Sequence, residues 1–206
     1  MYTAFIADTP NGRKLTIALE EAGLDYRIRR VDLDAGEQRA PDFVRLSPNS
    51  KIPVLARDDG WSMFESCAIL LHVAEASGKL LPGAHGEREQ VLQWLFLQAA
   101  SVGPMLGQLW WFRHAAPHHD ALALDRYTRE TRRLYGVLDA RLATAKHVAG
   151  DDYGIADIAF YPWLATHEEL GINVRDFPQV ADWLHRLGER PALRRGMQRA
   201  SEASHG

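Results

Sequence analysis

A turn near the start of the chain places polar groups where a strand leads into a helix. Residues 7–14 read ADTPNGRK, after the apolar run YTAFI and before the amphipathic run KLTIALEEAGL. The turn holds no Cys, Tyr or His that could serve as a nucleophile or a base, and no glycine-rich phosphate loop. It does hold the Thr9 hydroxyl, the Asn11 amide and the free N–H groups of a helix start, which are all hydrogen-bond donors. The alternative is that TPNG is only a turn and a helix-entry sequence.

A proline in the run KIPVLA, residues 51–56, is the second unusual feature. A proline inside a strand-like run belongs at a sheet edge, at a bulge or in a cis peptide bond. A cis bond before Pro53 would expose the backbone N–H and C=O of Ile52, and such a pair can bind an extended peptide as an added strand. An ordinary edge-strand proline is the alternative.

The third feature is the FES sequence before an apolar helix. Ser66 is a candidate N-cap residue, and this structural role alone would account for it. A helix N-terminus also favours a carboxylate, through its free N–H groups and its dipole. Glu65 beside it can take an ammonium group, so the pair suits the zwitterionic head group of an amino acid.

The first 80 residues mix strand and helix patterns, whereas the later part of the chain has the helical period alone. The predicted order in the first part is β-α-β-α-β-β-α, with strands in YTAFIA, DYRIRRVDL, KIPVLA and GWSMFES. The later helices are predicted over 86–115, 121–146, 155–170, 177–188 and 191–201. We therefore predict an α/β domain at 1–80, a linker with Pro and Gly at 81–86 and an all-helical domain at 87–206.

Composition and charge bound the class of protein. The chain has 206 residues, a net charge of −3 and 46% hydrophobic residues, which is ordinary for a globular protein. The small net charge gives no reason to expect nucleic acid or an anionic membrane as a partner. No apolar run is long enough to span a bilayer, and the first residues do not resemble a signal peptide. The single cysteine, Cys67, excludes an internal disulfide and a CxxC pair, and it favours a cytoplasmic location.

The motifs together resemble those of the glutathione transferase superfamily. The segments that carry the resemblance are TPNG, VDLDAGEQRAPDFVRLSPNSKIPVL and FESCAILLHVAE. More closely, TPNGRKLTIALEEAGLDY, SPNSKIP, LQWLFLQ, GPMLGQ and HAAP are similar to the nu-class bacterial members, which are glutathione-dependent disulfide-bond oxidoreductases. The resemblance covers essentially the whole chain. It implies a thioredoxin-like domain followed by an all-α domain, a homodimer, and glutathione as co-substrate without a metal.

The resemblance also implies which residues bind the head and the backbone of glutathione. Ser66 and Glu65 would hold the γ-glutamyl head group. Ile52, before a cis-Pro53, would pair with the backbone of the glutathione cysteine.

Three further binding residues follow from the same resemblance. Lys51 and Gln38 would lie near the glycyl carboxylate of glutathione. Arg126 matches an arginine that approaches bound glutathione from the helical domain. Taken singly, each of these is a residue type that is usually solvated at a protein surface.

The resemblance gives the first turn a catalytic role. Superfamily members differ in whether a Tyr, a Ser or a Cys follows the first strand, and this chain has Thr9 and Asn11, as nu-class proteins do. A free thiol has a pKa of ~8.5, and hydrogen bonds from these side chains and the backbone would stabilise its thiolate. We therefore expect a glutathione thiolate to attack a disulfide substrate, and a second glutathione to resolve the mixed disulfide without a protein cysteine.

Two alternatives remain open. The same thiolate site could conjugate glutathione to an electrophile or reduce an organic hydroperoxide, and only the pocket for the second substrate decides between these reactions. The chain could instead be a glutathione-binding regulatory protein with little turnover.

Several other residues have mainly structural interpretations. Free cysteine is often buried, so we expect Cys67 to pack without redox chemistry. His114, His118 and His119 cluster loosely near a proline, which favours a solvated loop over a zinc site. In YGIADIAF, Asp157 is expected to cap a helix even though a glycine replaces the hydroxyl residue usual in the family.

Overall fold

The computed structural model describes residues 1–82 and 86–202. Residues 83–85, which belong to the predicted linker, and residues 203–206 lie outside the described part. The described residues form two compact units.

The first unit is built on a mixed sheet with helices, in the predicted order β-α-β-α-β-β-α. Its elements are β1 (Tyr2–Ile6), α1 (Pro10–Ala22), β2 (Tyr26–Arg30), α2 (Pro41–Leu46), β3 (Val54–Arg57), β4 (Ser62–Phe64) and α3 (Ser66–Ser77). The strand order in the sheet is β2-β1-β3-β4, with β1 parallel to β2 and antiparallel to β3. A thioredoxin-like arrangement of strands and helices is therefore confirmed.

The regular elements after residue 86 are helical, as predicted. They are α4 (Glu87–Leu97), a π-helical segment (Gln98–Val102), α5 (Gly103–His114), α6 (Ala121–Leu142), α7 (Ile155–Leu164), a 3₁₀ helix (Val174–Asp176), α8 (Pro178–Gly188) and α9 (Pro191–Glu202). Helix α7 ends earlier than predicted because its last hydrogen bonds tighten. Thr166 donates its N–H to the Trp163 carbonyl at 3.3 Å and its hydroxyl to the same carbonyl at 2.7 Å.

The core of the first unit lies on both faces of the sheet. Phe5 of β1 packs with Phe43 of α2 in one cluster. Because successive side chains of a strand alternate between faces, Ala4 and Ile6 point to the opposite face, where both are fully buried. Helices α1 and α3 cover this second face and pack against each other.

The last helix, α9, packs against α1 and so belongs to the first unit. A Cβ atom on Gly196 would lie only 2.5 Å from the Ile17 Cα atom. The Thr16 hydroxyl donates to the Gly196 carbonyl at 2.7 Å. The sequence pattern grouped residues 188–202 with the helical domain. They instead group with the first unit, because α9 makes this long-range contact with α1.

Gly196→Ala is expected to lower the free energy of unfolding by about 2–3 kcal/mol, because the added methyl group overlaps the α1 backbone. Gly136 on α6 is the matched control, since a Cβ atom there meets nothing within 4 Å. Gly136→Ala should stabilise the chain by up to about 1 kcal/mol through helix propensity. Urea unfolding followed by circular dichroism measures both, and equal stability of the two variants would contradict the close contact.

The second unit contains a buried carboxylate at the start of α7. Asp157 is fully buried and accepts hydrogen bonds from the Gly154 N–H at 3.1 Å, the Val148 N–H at 3.2 Å and the Trp183 Nε1–H at 2.9 Å. The Nδ1 atom of His147 lies 3.3 Å from the same carboxylate. The predicted cap is therefore confirmed, and it also joins α7 to α8 and to the preceding loop.

None of the helices in residues 1–82 and 86–202 combines the length and the apolar character of a membrane crossing.

Candidate active site

One edge of the sheet gathers the ends of neighbouring strands. The register pairs Phe5 with Val54 and Val54 with Phe64, so the end of β1, the start of β3 and the end of β4 meet there. The chain enters or leaves the sheet at this edge through three short segments. These segments carry most of the predicted site residues: Thr9, Asn11, Ile52, Pro53, Glu65 and Ser66.

Thr9 caps α1 and keeps a hydroxyl proton to donate. Its Oγ1 atom accepts the Gly12 N–H at 3.2 Å, and its backbone N–H donates to the Ala7 carbonyl at 2.8 Å. A hydroxyl has one proton and two lone pairs, so Thr9 can accept the Gly12 N–H and still donate its own proton to a ligand atom near the turn. Asn11 is half-buried at the second position of α1, where the first N–H groups of a helix have no acceptor within the helix.

Gly12 allows the first turn of α1 to lie directly on the end of β1. A Cβ atom at this position would be 2.1 Å from the Ala7 carbonyl oxygen. The glycine of TPNG is therefore required by close packing, beyond its value as a turn residue. This contact fixes the distance between the hydrogen-bond donors of the turn, Thr9 and Asn11, and the end of β1.

The Ile52–Pro53 peptide bond is cis, as predicted. The paired part of β3 begins at Val54, so Ile52 lies just outside the strand ladder. Ser47 is buried and holds the preceding loop, since its Oγ atom donates to the Lys51 carbonyl at 2.8 Å and accepts the Lys51 N–H at 3.3 Å. The backbone of Ile52 is thus placed where an extended ligand could pair with it as an added strand.

Ser66 is the first residue of α3 and does not cap it. Glu65 occupies the N-cap position, because its φ of 71° and ψ of 109° are not helical while its carbonyl already accepts the Ile69 N–H at 2.9 Å. The predicted capping role of Ser66 is therefore wrong. A positive φ is unfavourable for a glutamate, and such backbone strain persists mainly where the surroundings enforce it, often at ligand sites.

The Ser66 hydroxyl contacts a buried lysine that none of the sequence patterns singled out. Lys14 is 1% exposed, and its Nζ atom donates to Ser66 Oγ at 3.2 Å. Burial lowers the pKa of Lys14 to about 8, while nearby Cys67 and Glu65 act in the opposite direction. The helical spacing was the available signal, because Lys14 lies four residues before Ala18 on the buried side of α1.

The other predicted binding residues have fewer contacts at this edge. Gln38 follows β2, which runs parallel to β1 and so ends at the same edge. Its Nε2 donates to the Leu33 carbonyl at 3.3 Å, and its Oε1 is buried without a partner in the described part of the chain. Lys51 is exposed. Arg126 is exposed on α6 in the second unit, and its approach to a ligand stays a prediction.

Cys67 and the histidines show no arrangement typical of a metal site. Cys67 is half-buried in the first turn of α3 and forms no disulfide. His118 and His119 are exposed, and His114 Nε2 lies 2.8 Å from the Glu169 carbonyl oxygen. Within residues 1–82 and 86–202 there is no group of three His, Cys, Asp or Glu side chains that could hold a metal ion.

Two tryptophans give the second unit an exposed aromatic surface. Trp110 is 41% exposed and Trp111 is 42% exposed. The Nε1–H of Trp110 donates to the Glu169 carboxylate at 2.9 Å, which holds that ring in place.

Comparison with known proteins matches both parts of the chain to one family. The model described as glutathione S-transferase, N-terminal domain, matches residues 9–76, and the model described as glutathione S-transferase, C-terminal domain, matches residues 94–191.

Individual relatives agree with this assignment over most of their length. The chain is 45% identical over 206 residues to the disulfide-bond oxidoreductase YfcG of Escherichia coli K12, covering 97% of this chain and 96% of that protein. It is 40% identical over 205 residues to the disulfide-bond oxidoreductase YghU of the same strain, covering 91% of this chain and 71% of that protein. A glutathione transferase from Pseudomonas putida, crystallised with one glutathione disulfide bound per subunit, superposes with a TM-score of 0.89 at 38% identity and covers 95% of this chain and 90% of that one.

Proposed function

The chain belongs to the glutathione S-transferase family, and from that premise we propose that it reduces disulfide bonds with glutathione as co-substrate. The observation that supports this most is the convergence of the Thr9 turn, cis-Pro53 and the start of α3 at one sheet edge. The two relatives described above are disulfide-bond oxidoreductases, and a structural neighbour holds glutathione disulfide. Glutathione is a reactant here, and the proposal needs no metal.

The tripeptide would lie along the sheet edge from α3 to the loop before β3. Ser66 and the first N–H groups of α3 suit the α-carboxylate of its γ-glutamyl group, and Glu65 suits the ammonium group. The backbone of Ile52 would pair with the glutathione cysteine. Two further side chains would lie near the glycyl carboxylate, and a third would approach the bound tripeptide from the helical domain. The first two are Lys51 and Gln38, and the third is Arg126.

The reaction exchanges one disulfide for another in two steps. The thiolate of a bound glutathione attacks one sulfur of the substrate disulfide, so a mixed disulfide forms and one substrate sulfur leaves as a thiolate. The thiolate of a second glutathione then attacks the glutathione sulfur of the mixed disulfide. This step releases the second substrate thiolate and forms glutathione disulfide, so two glutathiones are oxidised for each substrate disulfide reduced.

Thr9 and Asn11 are the proposed catalytic residues, because they would donate hydrogen bonds to the attacking sulfur. The Thr9 proton is not used in capping, since Oγ1 takes part in the cap only as an acceptor. Hydrogen bonds to a thiolate lower the pKa of the thiol and raise the reactive fraction at neutral pH. The protein would contribute position and charge stabilisation, while the ligand contributes the nucleophile.

The absence of a protein nucleophile can be tested with Cys67→Ala. We expect its kcat/KM for a small disulfide to stay within about twofold of wild type, because the truncation costs at most modest packing at a half-buried site. Asn11→Ala is the comparison, and it should lower kcat/KM about tenfold through loss of a donor to a charged group. Oxidation of glutathione, coupled to its enzymatic reduction, measures both rates. If Cys67→Ala abolished turnover, the cysteine-free mechanism would be wrong.

Parallel assays separate this proposal from its alternatives. A small disulfide, a chlorinated aromatic and an organic hydroperoxide are each supplied with glutathione at equal concentration. The fastest turnover is expected with the disulfide. Preference for either other substrate would favour the transferase or peroxidase reaction, and glutathione binding by calorimetry without turnover would favour a regulatory protein.

We also propose that the chain acts as a homodimer in the cytoplasm. Glutathione and thioredoxin keep thiols reduced in that compartment, so the co-substrate would be available there. Sedimentation equilibrium measures the assembly state, and a monomer at micromolar concentration would refute the dimer.

A further inference from the structure

We propose that Lys14 is a positioning residue, which acts through Ser66 to bind the α-carboxylate of the ligand. This inference rests on the proposed function, because it concerns the same binding site. Lys14 itself lies beneath Ser66, in the first turns of α1, and is 1% exposed.

The hydrogen bond between the two side chains has only one possible direction. A protonated lysine has three donors and no acceptor, so Ser66 Oγ must accept from Lys14 Nζ across their 3.2 Å separation. The Ser66 proton is then directed to a different acceptor. A ligand carboxylate above the N-terminus of α3 is an acceptor of suitable charge, and it would meet a hydroxyl that is already oriented.

The burial of Lys14 is costly for the free protein, and a ligand carboxylate would compensate for it. Removal of an ammonium group from water is unfavourable, and replacement of buried charges by apolar groups often stabilises a fold. The lowered pKa of Lys14, about 8, reflects this desolvation. A carboxylate that accepts from Ser66 would lie about 5–6 Å from Nζ, close enough to favour the charged lysine.

The charged and titratable groups packed against α1 either favour the protonated form of Lys14 or pair with other residues. The groups that act on the lysine from the α3 side are Glu65 and Cys67, and both favour its protonated form. Arginines within α9 and directly before it face α1, but they pair with α1 carboxylates beyond Lys14. These pairs are Arg190 with Glu21 and Arg195 with Glu20. On β1, the Tyr2 hydroxyl bonds to His72, and on α1 itself Arg13 pairs with Asp8.

The inference predicts a pH dependence of binding with a definite sign. Ligand binding should raise the pKa of Lys14, so the protonated protein binds more tightly. The contribution of Lys14 is therefore complete well below pH 8 and declines as the pH rises through about 8. At about pH 8.5, wild-type protein should take up a substantial fraction of one proton on binding.

The test measures binding of S-methylglutathione, whose sulfur cannot ionise, by calorimetry in two buffers of different ionisation enthalpy. Lys14→Met should weaken binding at about pH 6.5 by about tenfold or more and should abolish the extra proton uptake. The ligand amine titrates in a similar range, but its contribution is the same for both proteins and cancels in the comparison. Lys14→Gln, which can still donate to Ser66, should recover part of the affinity without the proton uptake.

Three further measurements distinguish positioning from a purely structural role. Lys14→Met should not lower the free energy of unfolding, because it removes a buried charge. Ser66→Ala should weaken binding, and the double variant should bind no more weakly than the weaker single variant, because both act on one contact. In turnover assays, Lys14→Met should raise KM for glutathione more than it lowers kcat.

The outcomes separate this inference from the proposed function. If wild-type protein binds S-methylglutathione and the Lys14→Met variant binds it equally well with the same proton uptake, the role of Lys14 is refuted while the proposed function stands. If wild-type protein binds neither S-methylglutathione nor glutathione at millimolar concentration, the proposed function itself is refuted. A folded Lys14→Met variant that loses stability as well as affinity would indicate a structural role and would also refute the inference.

Discussion

Thr9→Asp is expected to lower kcat/KM for disulfide reduction by about a hundredfold or more while α1 keeps its stability. Aspartate is as good an N-cap as threonine, so it can accept the Gly12 N–H that Thr9 now accepts. It cannot donate a hydrogen bond at neutral pH, and its charge repels a thiolate. Loss of one hydrogen bond to a charged group corresponds to about 1.5–3 kcal/mol, and the like charge adds to this loss.

Two further variants at the same position separate capping from donation. Thr9→Ser keeps both the acceptor and the proton, and its kcat/KM should stay within about threefold of wild type. Thr9→Ala loses both, so it should lose about ten- to a hundredfold in kcat/KM and also about 1 kcal/mol of stability. The measurements are steady-state kinetics with a small disulfide and urea unfolding. A Thr9→Asp enzyme with wild-type activity would exclude a donor role for Thr9.

Asp157→Ala is expected to lower the free energy of unfolding by about 3–5 kcal/mol. The carboxylate is fully buried, and its removal leaves the N–H groups of Gly154 and Val148 and the indole N–H of Trp183 without their acceptor. A buried donor without a partner costs about 1–3 kcal/mol, and the three losses share one cavity, so they do not simply add.

Asp152→Ala is the matched control for this effect. Asp152 lies five residues earlier in the same segment and is exposed, so its truncation should change stability by no more than about 0.5 kcal/mol. Urea unfolding at neutral pH measures both variants. A loss of less than about 1 kcal/mol in Asp157→Ala would show that the buried hydrogen bonds contribute little to the fold.

Local patterns were sufficient for most of the fold. The order of strands and helices follows from apolar periodicity and from breakers such as Gly23 and Gly78, both of which adopt the left-handed conformation at a helix end. The local pattern limited Pro53 to a cis bond, a bulge or a sheet edge, and the family resemblance implied the cis bond that is observed. The Asp157 cap was predictable because capping depends on residues three positions apart.

Features that depend on contacts between distant segments do not follow from local sequence patterns. No local pattern indicates the role of Lys14, because its partner, Ser66, is 52 positions away. The requirement for Gly196 arises from a contact with Ile17 on the first helix. Because of that contact, α9 groups with the first unit, whereas the sequence pattern grouped it with the helical domain. The sequence predicts a cap at Ser66, and the structure has Glu65 there instead, because the positive φ of Glu65 cannot be read from a local pattern.

By itself the sequence determined the order of strands and helices, the family resemblance and the identity of the candidate donors in the Thr9 turn, because these depend on residue type and short-range spacing. Only the tertiary structure decided that the turn, cis-Pro53 and the start of α3 share one sheet edge, since the antiparallel register of β1, β3 and β4 sets that arrangement. It also decided that a buried ammonium group lies beneath Ser66. The free-energy cost of burying an ammonium group depends on all the segments that exclude water from it, so it follows from the packing of the whole unit and not from local sequence.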